Sequence, residues 1–316
     1  MLATQAMHSL PLNNLYHGRF APSPTGPLHF GSLVAAVGSY LDSRSRGGVW
    51  QLRMEDVDRP RCEAGAADEI LRTLELFGFE WDGEVLLQSR RDQAYGGVLE
   101  QLRSTGRVFP CACSRREMAD SQLGQSPELA SDGARIYPGT CRSGLPPGKP
   151  ARSLRLRVDD NVIAFEDAVQ GPIVQALATE VGDFVLLRAD GLFAYQLAVV
   201  VDDATQGISH VVRGADLLDS TPRQILLQRL LGLTPPLYAH LPVAVNAAGE
   251  KLSKQTGARP LDSTRPQTLL LAVLNFLGQA PPAELNAAGL TELWHWAAVN
   301  WDLAKVPHQR ALPGPE

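Results

Sequence analysis

Cysteine is scarce in this chain: four residues in 316, at positions 62, 111, 113 and 141. That is too few for a disulfide framework. No apolar run approaches the ~18 residues that suggest a membrane span. Met1–Tyr16 contains no Lys or Arg and no apolar core, so it reads as a loosely ordered extension, not a secretory leader. The expected compartment is therefore a reducing cytoplasm. A basic excess is missing too: 29 Lys and Arg stand against 34 Asp and Glu, a net charge of −5. Any nucleic acid must then be held by a local patch. No internal repeat is visible.

What the chain does have is length and 44% hydrophobic residues, enough for one large domain plus an insertion or a small second domain. Its most informative stretch is Arg19 to Ser32, Arg-Phe-Ala-Pro-Ser-Pro-Thr-Gly-Pro-Leu-His-Phe-Gly-Ser. The prolines and glycines between Pro22 and Gly31 make a shaped loop. Leu33, Val34, Val37, Tyr40 and Leu41 then recur at helical spacing until Gly47 and Gly48. The pattern predicts strand, rigid turn, helix, with His29 and Gly31 at a helix entrance suited to an anion. Val49 to Met54 alternates as a strand and delivers Glu55 at its carboxyl end, where open α/β sheets place ligands. From pattern alone, Glu55 to Arg59 is a solvated acidic turn.

Further on, Ala66 to Gly78 predicts a helix. Another runs through Leu102 to Gly106, with Ser89 and Asp92 as its capping pair. Gly144 to Pro150 is a linker. Ser153–Val158, Val162–Phe165, Asp183–Arg188, Phe193–Val201 and Ile208–Val212 predict strands, the third and fourth as apolar runs of buried-sheet type. A helix follows with Thr221 as N-cap and Pro222 at its first position. Thr264 to Lys305 predicts two or more helices whose leucines, Trp294 and Trp301 are core. Pro307 to Glu316 is a tail.

Cys111, Cys113 and Cys141 fall within 31 residues, with Tyr137 close by. Three thiolates suit tetrahedral zinc, which requires a fourth ligand; the plainer alternative is incidental buried thiols. Cys62 stands apart as filler.

His29-Phe30-Gly31-Ser32 resembles the His-Ile-Gly-His signature of class I aminoacyl-tRNA synthetases, with Ser in the fourth place. The preceding Arg-Phe-Ala-Pro-Ser-Pro-Thr-Gly narrows the resemblance to the glutamyl branch. Lys251-Leu252-Ser253-Lys254-Gln255 resembles the second signature, Lys-Met-Ser-Lys-Ser, with Gln in last place. The Cys-x-Cys…Tyr-x-x-x-Cys pattern is similar to that of the glutamyl-queuosine branch, here Cys111, Cys113, Tyr137 and Cys141. With a spacer longer than usual before Tyr137, Asp132 or a water stand as alternative fourth ligands. Only about 60 residues follow Gln255, fewer than a typical further domain needs, which fits a form without an anticodon-binding domain.

The resemblance implies an α/β fold, a class I synthetase Rossmann-type catalytic domain with a small zinc-binding insertion and a short helical C-terminal part. Expected boundaries are 1–16 extension, 17–107 and 151–245 catalytic halves, 108–150 insertion, and 246–316 signature loop and helical part. It implies His29 and Lys254 as catalytic residues. Arg19, Phe20, Ala21, Pro22, Ser23, Glu55, Tyr195 and Arg213 would bind L-glutamate. His29, Gly31, Ser32, Lys251, Ser253 and Lys254 would bind ATP, with Mg²⁺. Two arginines suit the two carboxylates of glutamate and Glu55 suits its ammonium; which arginine takes the side-chain carboxylate stays open. The implied activity is glutamyl-adenylate formation followed by transfer to the queuosine of tRNA(Asp), by a monomer with one structural zinc and no membrane partner. The alternatives are an enzyme that charges tRNA(Glu) at its 3′ end and a catalytically silent binding protein.

Overall fold

The computed structural model describes residues 16–114, 117, 136–160, 162–252 and 259–315. The extension up to residue 15, Asp132, Ser253, Lys254 and Gln255 lie outside these described residues.

Strand β1 (His17–Phe20) leads through the proline loop into helix α1 (Phe30–Arg44) and back to β2 (Val49–Met54), parallel to β1 with Phe20 opposite Leu52. This is a βαβ unit, whose two strands can run parallel because α1 crosses over the sheet. After α2 (Ala66–Leu76), β3 (Leu86–Leu87) pairs parallel to β2. A second sheet has the order β7 (Gly171–Ala176), β6 (Val162–Asp167), β10 (Leu237–Leu241), β9 (His210–Gly214). Here β9 and β6 run parallel to β10. The Ser209 N–H donates to the His17 carbonyl at 3.0 Å, which brings β9 alongside β1. The chain thus steps outward from β1 in both directions, a switch point of the kind that opens a ligand crevice at the strands' carboxyl ends.

A third sheet, antiparallel, joins β4 (Val108–Cys111), β5 (Ser153–Leu156) and β8 (Phe184–Leu187). The insertion is the long connection between the paired strands β4 and β5. The main core packs α1, β2 and α2 through Leu33, Leu41, Trp50, Leu52, Ile70 and Leu74. The helices Pro266–Phe276 and Leu290–Asn300 close it with Leu270, Leu274, Leu293 and Ala297. Trp294 packs edge-on against Tyr40 and Phe79, and its indole donates to the Phe77 carbonyl at 2.8 Å. No helix among the described residues is long and apolar enough to cross a membrane.

Four local expectations need correction. Phe193–Val201 is not a strand: Tyr195–Thr205 is a helix with every residue from Leu197 to Asp203 buried. A helix apolar on all sides shows no 3.6-residue period, so sequence cannot separate it from a buried strand. Thr221 is the first residue of its helix, not the cap, because its hydroxyl meets Arg213 at 2.9 Å. Ser89 does not cap the helix Asp92–Ser104; its N–H and hydroxyl both donate to Asp56, at 2.7 and 2.6 Å. The terminal segment is not all tail, for β12 (Ala311–Pro313) pairs parallel to β11 (Val243–Val245).

Candidate active site

The carboxyl ends of β1, β2, β9 and β10 surround a cleft of about 480 Å³. Arg19 and Phe20 end β1, Glu55 follows β2, Arg213 and Gly214 end β9, and Pro242 follows β10. All the described residues expected to bind an amino acid or a nucleotide line this one cleft: Arg19, Phe20, Ala21, Pro22, Ser23, Glu55, Tyr195 and Arg213, together with His29, Gly31, Ser32 and Lys251.

The proline loop is tied to the acidic loop after β2 through backbone bonds. The Pro22 carbonyl accepts from the Glu55 N–H and the Pro24 carbonyl from Glu63, both at 2.9 Å. Gly26 supplies the positive φ (126°) the loop requires. His29 then caps α1: its Nδ1 accepts from the Ser32 N–H at 3.3 Å, and the Ser32 hydroxyl accepts from the His29 N–H at 3.0 Å. This is a reciprocal capping box. It accounts for serine in the fourth place of the signature, and it leaves the proton of neutral His29 on Nε2. A Cβ on Gly31 would lie 3.2 Å from His29 Cε1, so glycine lets the ring fold over the helix entrance.

The described start of the second signature is tied to β11, and the residues from 260 onward to the loop of the first. Leu252 N–H donates to Ala244 at 2.8 Å, and Leu261 N–H to Leu28 at 2.9 Å, while Pro260 bridges to His29. Lys251 forms an ion pair with Asp216 at 2.5 Å.

Charges in the floor are interlocked. Fully buried Arg53 meets Asp203 at 2.7 Å and Glu55 at 3.5 Å, and Asp203 also meets Arg19 at 3.3 Å. Burial pushes the Glu55 carboxyl above its ordinary range, though Arg53 and Arg19 pull against it. Burial acts on Asp203 in the same direction, but Arg53 and Arg19 outweigh it and hold that carboxyl low. Arg213 is gripped on three nitrogens: Nε donates to His240 (3.0 Å), Nη1 to the Tyr195 hydroxyl (3.2 Å), and Nη2 to Thr221 and Gln224 (2.9 and 2.8 Å). Because Tyr195 accepts from Arg213, its own hydroxyl proton is free to donate to an anion in the cleft.

Sequence reasoning missed Arg53, Asp203, His240 and Asp216. Alternation puts Arg53 on the strand face of Val49 and Gln51, opposite Trp50, Leu52 and Met54, so the pattern gave no signal that it is buried.

The cysteines also converge. The Sγ atoms of Cys111, Cys113 and Cys141 lie within 4.8 Å of one another, with Cys113 and Cys141 3.7 Å apart. The Tyr137 hydroxyl stands 3.4 Å from Cys111 Sγ and 3.8 Å from Cys113 Sγ, and accepts the Cys141 N–H at 2.8 Å. Ligands at about 2.3 Å for sulfur and 2.0–2.2 Å for oxygen around a tetrahedral zinc give S···S edges of about 3.8 Å and S···O edges of about 3.6 Å. The donor set fits such an ion. Burial alone would raise the Cys111 thiol, but hydrogen bonds from Tyr137 and Arg155 bring it down to about 7, toward the thiolate a metal needs. Burial lifts Cys113 to about 11. Among the described residues the apolar cluster here is Phe109, Cys111, Ala112, Tyr137 and Cys141. Arg142 fastens it to the main body with two 2.6 Å bonds to Asp183.

The profile of the family described as tRNA synthetases class I (E and Q), catalytic domain, matches residues 16–284. The chain is 61% identical over 300 residues to the glutamyl-Q tRNA(Asp) synthetase of Aromatoleum aromaticum, covering 95% of this chain and 93% of that one. It is 61% identical to the protein of that name from Dechloromonas aromatica, over 95% and 99% of the two chains, and 55% identical to that from Geobacter sulfurreducens, over 92% and 93%. Among solved structures, the glutamate-tRNA synthetase of Elizabethkingia anophelis superposes with a TM-score of 0.77 at 26% identity, over 94% of this chain and 68% of that one. A cleft at the switch point lined by the first signature and by Lys251 and Leu252 of the second, with these relatives over nearly the whole length, places the chain in the glutamyl-Q tRNA(Asp) synthetase family, ligases of the class I aminoacyl-tRNA synthetase type.

Proposed function

We propose that the cleft activates L-glutamate with ATP and that the glutamyl group is passed to the queuosine base at the wobble position of tRNA(Asp). The convergence of all the described predicted residues on a single cleft carries the first half of this reading. The name shared by relatives up to 61% identical carries the acceptor.

Arg19 and Arg213 answer the two carboxylates of glutamate and Glu55 answers its ammonium; Arg19 is already paired with Asp203 and Glu55 with Arg53, while Arg213 is held by neutral groups. Phe20, Ala21, Pro22, Ser23 and Tyr195 complete the amino-acid side. His29, Gly31, Ser32 and Lys251 face the nucleotide, and Ser253 and Lys254 of the second signature join them. The α-carboxylate oxygen attacks the α-phosphorus; a new P–O bond forms as the bond to the β-phosphate bridge breaks and pyrophosphate leaves. Mg²⁺ accompanies the phosphates. His29 and Lys254 stabilise the charge that builds there, as positioned donors do in phosphoryl-type transfer. A hydroxyl of the queuosine cyclopentenediol then attacks the glutamyl carbonyl and AMP departs. The modified base leaves its stack to enter, as single-stranded anticodon loops permit.

Cys111, Cys113, Tyr137 and Cys141 would hold one zinc. When bound, the ion supplies a cross-link between the two ends of the 108–150 insertion, from Cys111 and Cys113 to Tyr137 and Cys141. The catalytic halves are 17–107 and 151–245, the protein acts as a monomer, and its setting is the cytoplasm.

The test is glutamylation with labelled glutamate of tRNA(Asp) carrying or lacking queuosine, and of tRNA(Glu). Label on queuosine-containing tRNA(Asp) alone, at the wobble nucleotide, is expected. Robust labelling of queuosine-free tRNA(Asp), or of the 3′ end of tRNA(Glu), overturns the acceptor. Absence of glutamate-dependent ATP–pyrophosphate exchange overturns the enzyme.

A further inference from the structure

We propose that Asp167 and His240, buried behind the cleft and outside its lining, form a positioning pair that orients Arg213 toward the substrate carboxylate. The inference rests on the reading of Arg213 as a carboxylate-binding residue.

The two side chains have no exposed surface. Asp167 ends β6, where its Oδ1 accepts three backbone N–H groups: His240 at 3.0 Å, Val169 at 3.1 Å and Gln170 at 2.9 Å. That fixes the carboxylate and leaves Oδ2 for His240 Nδ1, 2.5 Å away. Nδ1 must therefore carry the ring proton, so Nε2 presents a lone pair. Arg213 Nε lies 3.0 Å from that lone pair and can only donate. The imidazole works here as a neutral acceptor whose tautomer is set from behind by a carboxylate. The opposite tautomer would point an N–H at an N–H.

Burial, the largest influence, lowers the His240 pKa to about 4, with Arg213 opposing its protonation and Asp167 favouring it. The ring stays neutral throughout the working range. Holding Nε matters because the guanidinium is planar. With Nε on His240 and both Nη2 hydrogens on Thr221 and Gln224, the plane has no remaining rotation. Nη1 is left facing Tyr195. Of its two hydrogens one goes to the Tyr195 hydroxyl, and the other, on a residue that lines the cleft, remains for a ligand. Gln224 is itself held by Gln196 at 3.0 Å, and Gln196 donates to Ser220 at 3.0 Å, so the far side of the grip is also anchored.

Asp167→Asn is the sharpest perturbation. Its amide oxygen keeps the three backbone bonds, and its NH₂ then faces Nδ1 and forces the histidine into the opposing tautomer. His240→Leu removes the acceptor at similar volume. His240→Gln offers an amide oxygen to Arg213 and an NH₂ to Asp167. ATP–pyrophosphate exchange is measured on the full chain with each variant, alongside Arg213→Met and thermal melts. Asp167→Asn and His240→Leu should raise the glutamate KM by about ten- to a hundredfold, the worth of a hydrogen bond to a charged group, while the ATP KM stays within about twofold. His240→Gln should recover most of the loss. An unchanged glutamate KM in folded Asp167→Asn or His240→Leu overturns the positioning role, as does equal damage to both substrates' KM. Should Asp167→Asn fail to fold, the two His240 variants decide: equal glutamate KM values overturn it. An unchanged glutamate KM in Arg213→Met overturns the reading of Arg213 itself.

Discussion

Replacing Arg53 by Met tests the charge floor most directly. Methionine keeps much of the stem's volume but removes the guanidinium. Arg53 donates to Asp203 at 2.7 Å and to Gln206 at 2.7 Å, and stands 3.5 Å from Glu55. Without it Asp203 has Arg19 alone as its cation, at 3.3 Å, and Glu55 loses the cation nearest to it. Removing one partner of a buried pair costs about 3–5 kcal/mol because the orphaned charge stays buried. At about 2–4 °C per kcal/mol for a large domain, the melting midpoint should fall by about 10 °C. The functional effect has a definite sign. Burial already raises the Glu55 pKa and Arg53 is the strongest force lowering it, so the variant's pKa moves higher. The ionised carboxylate is the form that binds an ammonium, and it is lost as pH falls through that raised pKa. The glutamate KM should therefore climb on the acid side at a higher pH than in the parent, and recover toward the parent value in alkali. Exchange kinetics from about pH 6 to 9, with melts of both proteins, read both effects. An unchanged midpoint together with superimposable KM–pH curves would refute the reasoning.

Tyr137→Phe removes the oxygen beside Cys111 and Cys113 and strands the Cys141 N–H, so zinc should be lost readily to a chelator and stability should drop by about 1–3 kcal/mol. One retained equivalent of zinc by elemental analysis, with an unchanged melt, would exclude Tyr137 as a ligand. Gly31→Ala sets a methyl 3.2–3.3 Å from the His29 ring and should raise the ATP KM by about tenfold while sparing glutamate; equal ATP KM values would count against His29 at the nucleotide. Ser32→Ala deletes one half of the capping box and should cost about 1 kcal/mol in a urea melt, with no loss showing that the cap bond is idle.

The parts of the fold visible in sequence are those with a local cause. The βαβ opening has a proline loop, a helical apolar stripe and terminal glycines, and α1 and β2 lie where that pattern puts them. The helix Tyr195–Thr205 was hidden because burial on every side erases the period. The pairing of β12 with β11 was hidden because a three-residue strand at a chain end carries no pattern of its own, only a partner more than sixty residues away.

The site divides along the same line. Many of the residues that line the cleft could be found, since they come as a string: Arg19 to Ser32 is contiguous. Residues that hold those residues could not, since each is selected by a distance that only folding creates. Asp203 comes to Arg53 across 150 positions, and Asp167 to His240 across 73. Thr221 shows the consequence at one atom. In sequence, a threonine before a proline at a helix start is a cap, and its hydroxyl has an obvious backbone use. In the folded chain β9 brings Arg213 to the same hydroxyl, and a guanidinium N–H is the stronger donor. The helix therefore begins on Thr221 without a side-chain cap, giving up a bond typically worth about 1 kcal/mol so that a charged group in the cleft is held in one orientation. A local rule broken at a residue that touches a cleft arginine is thus itself a pointer to function.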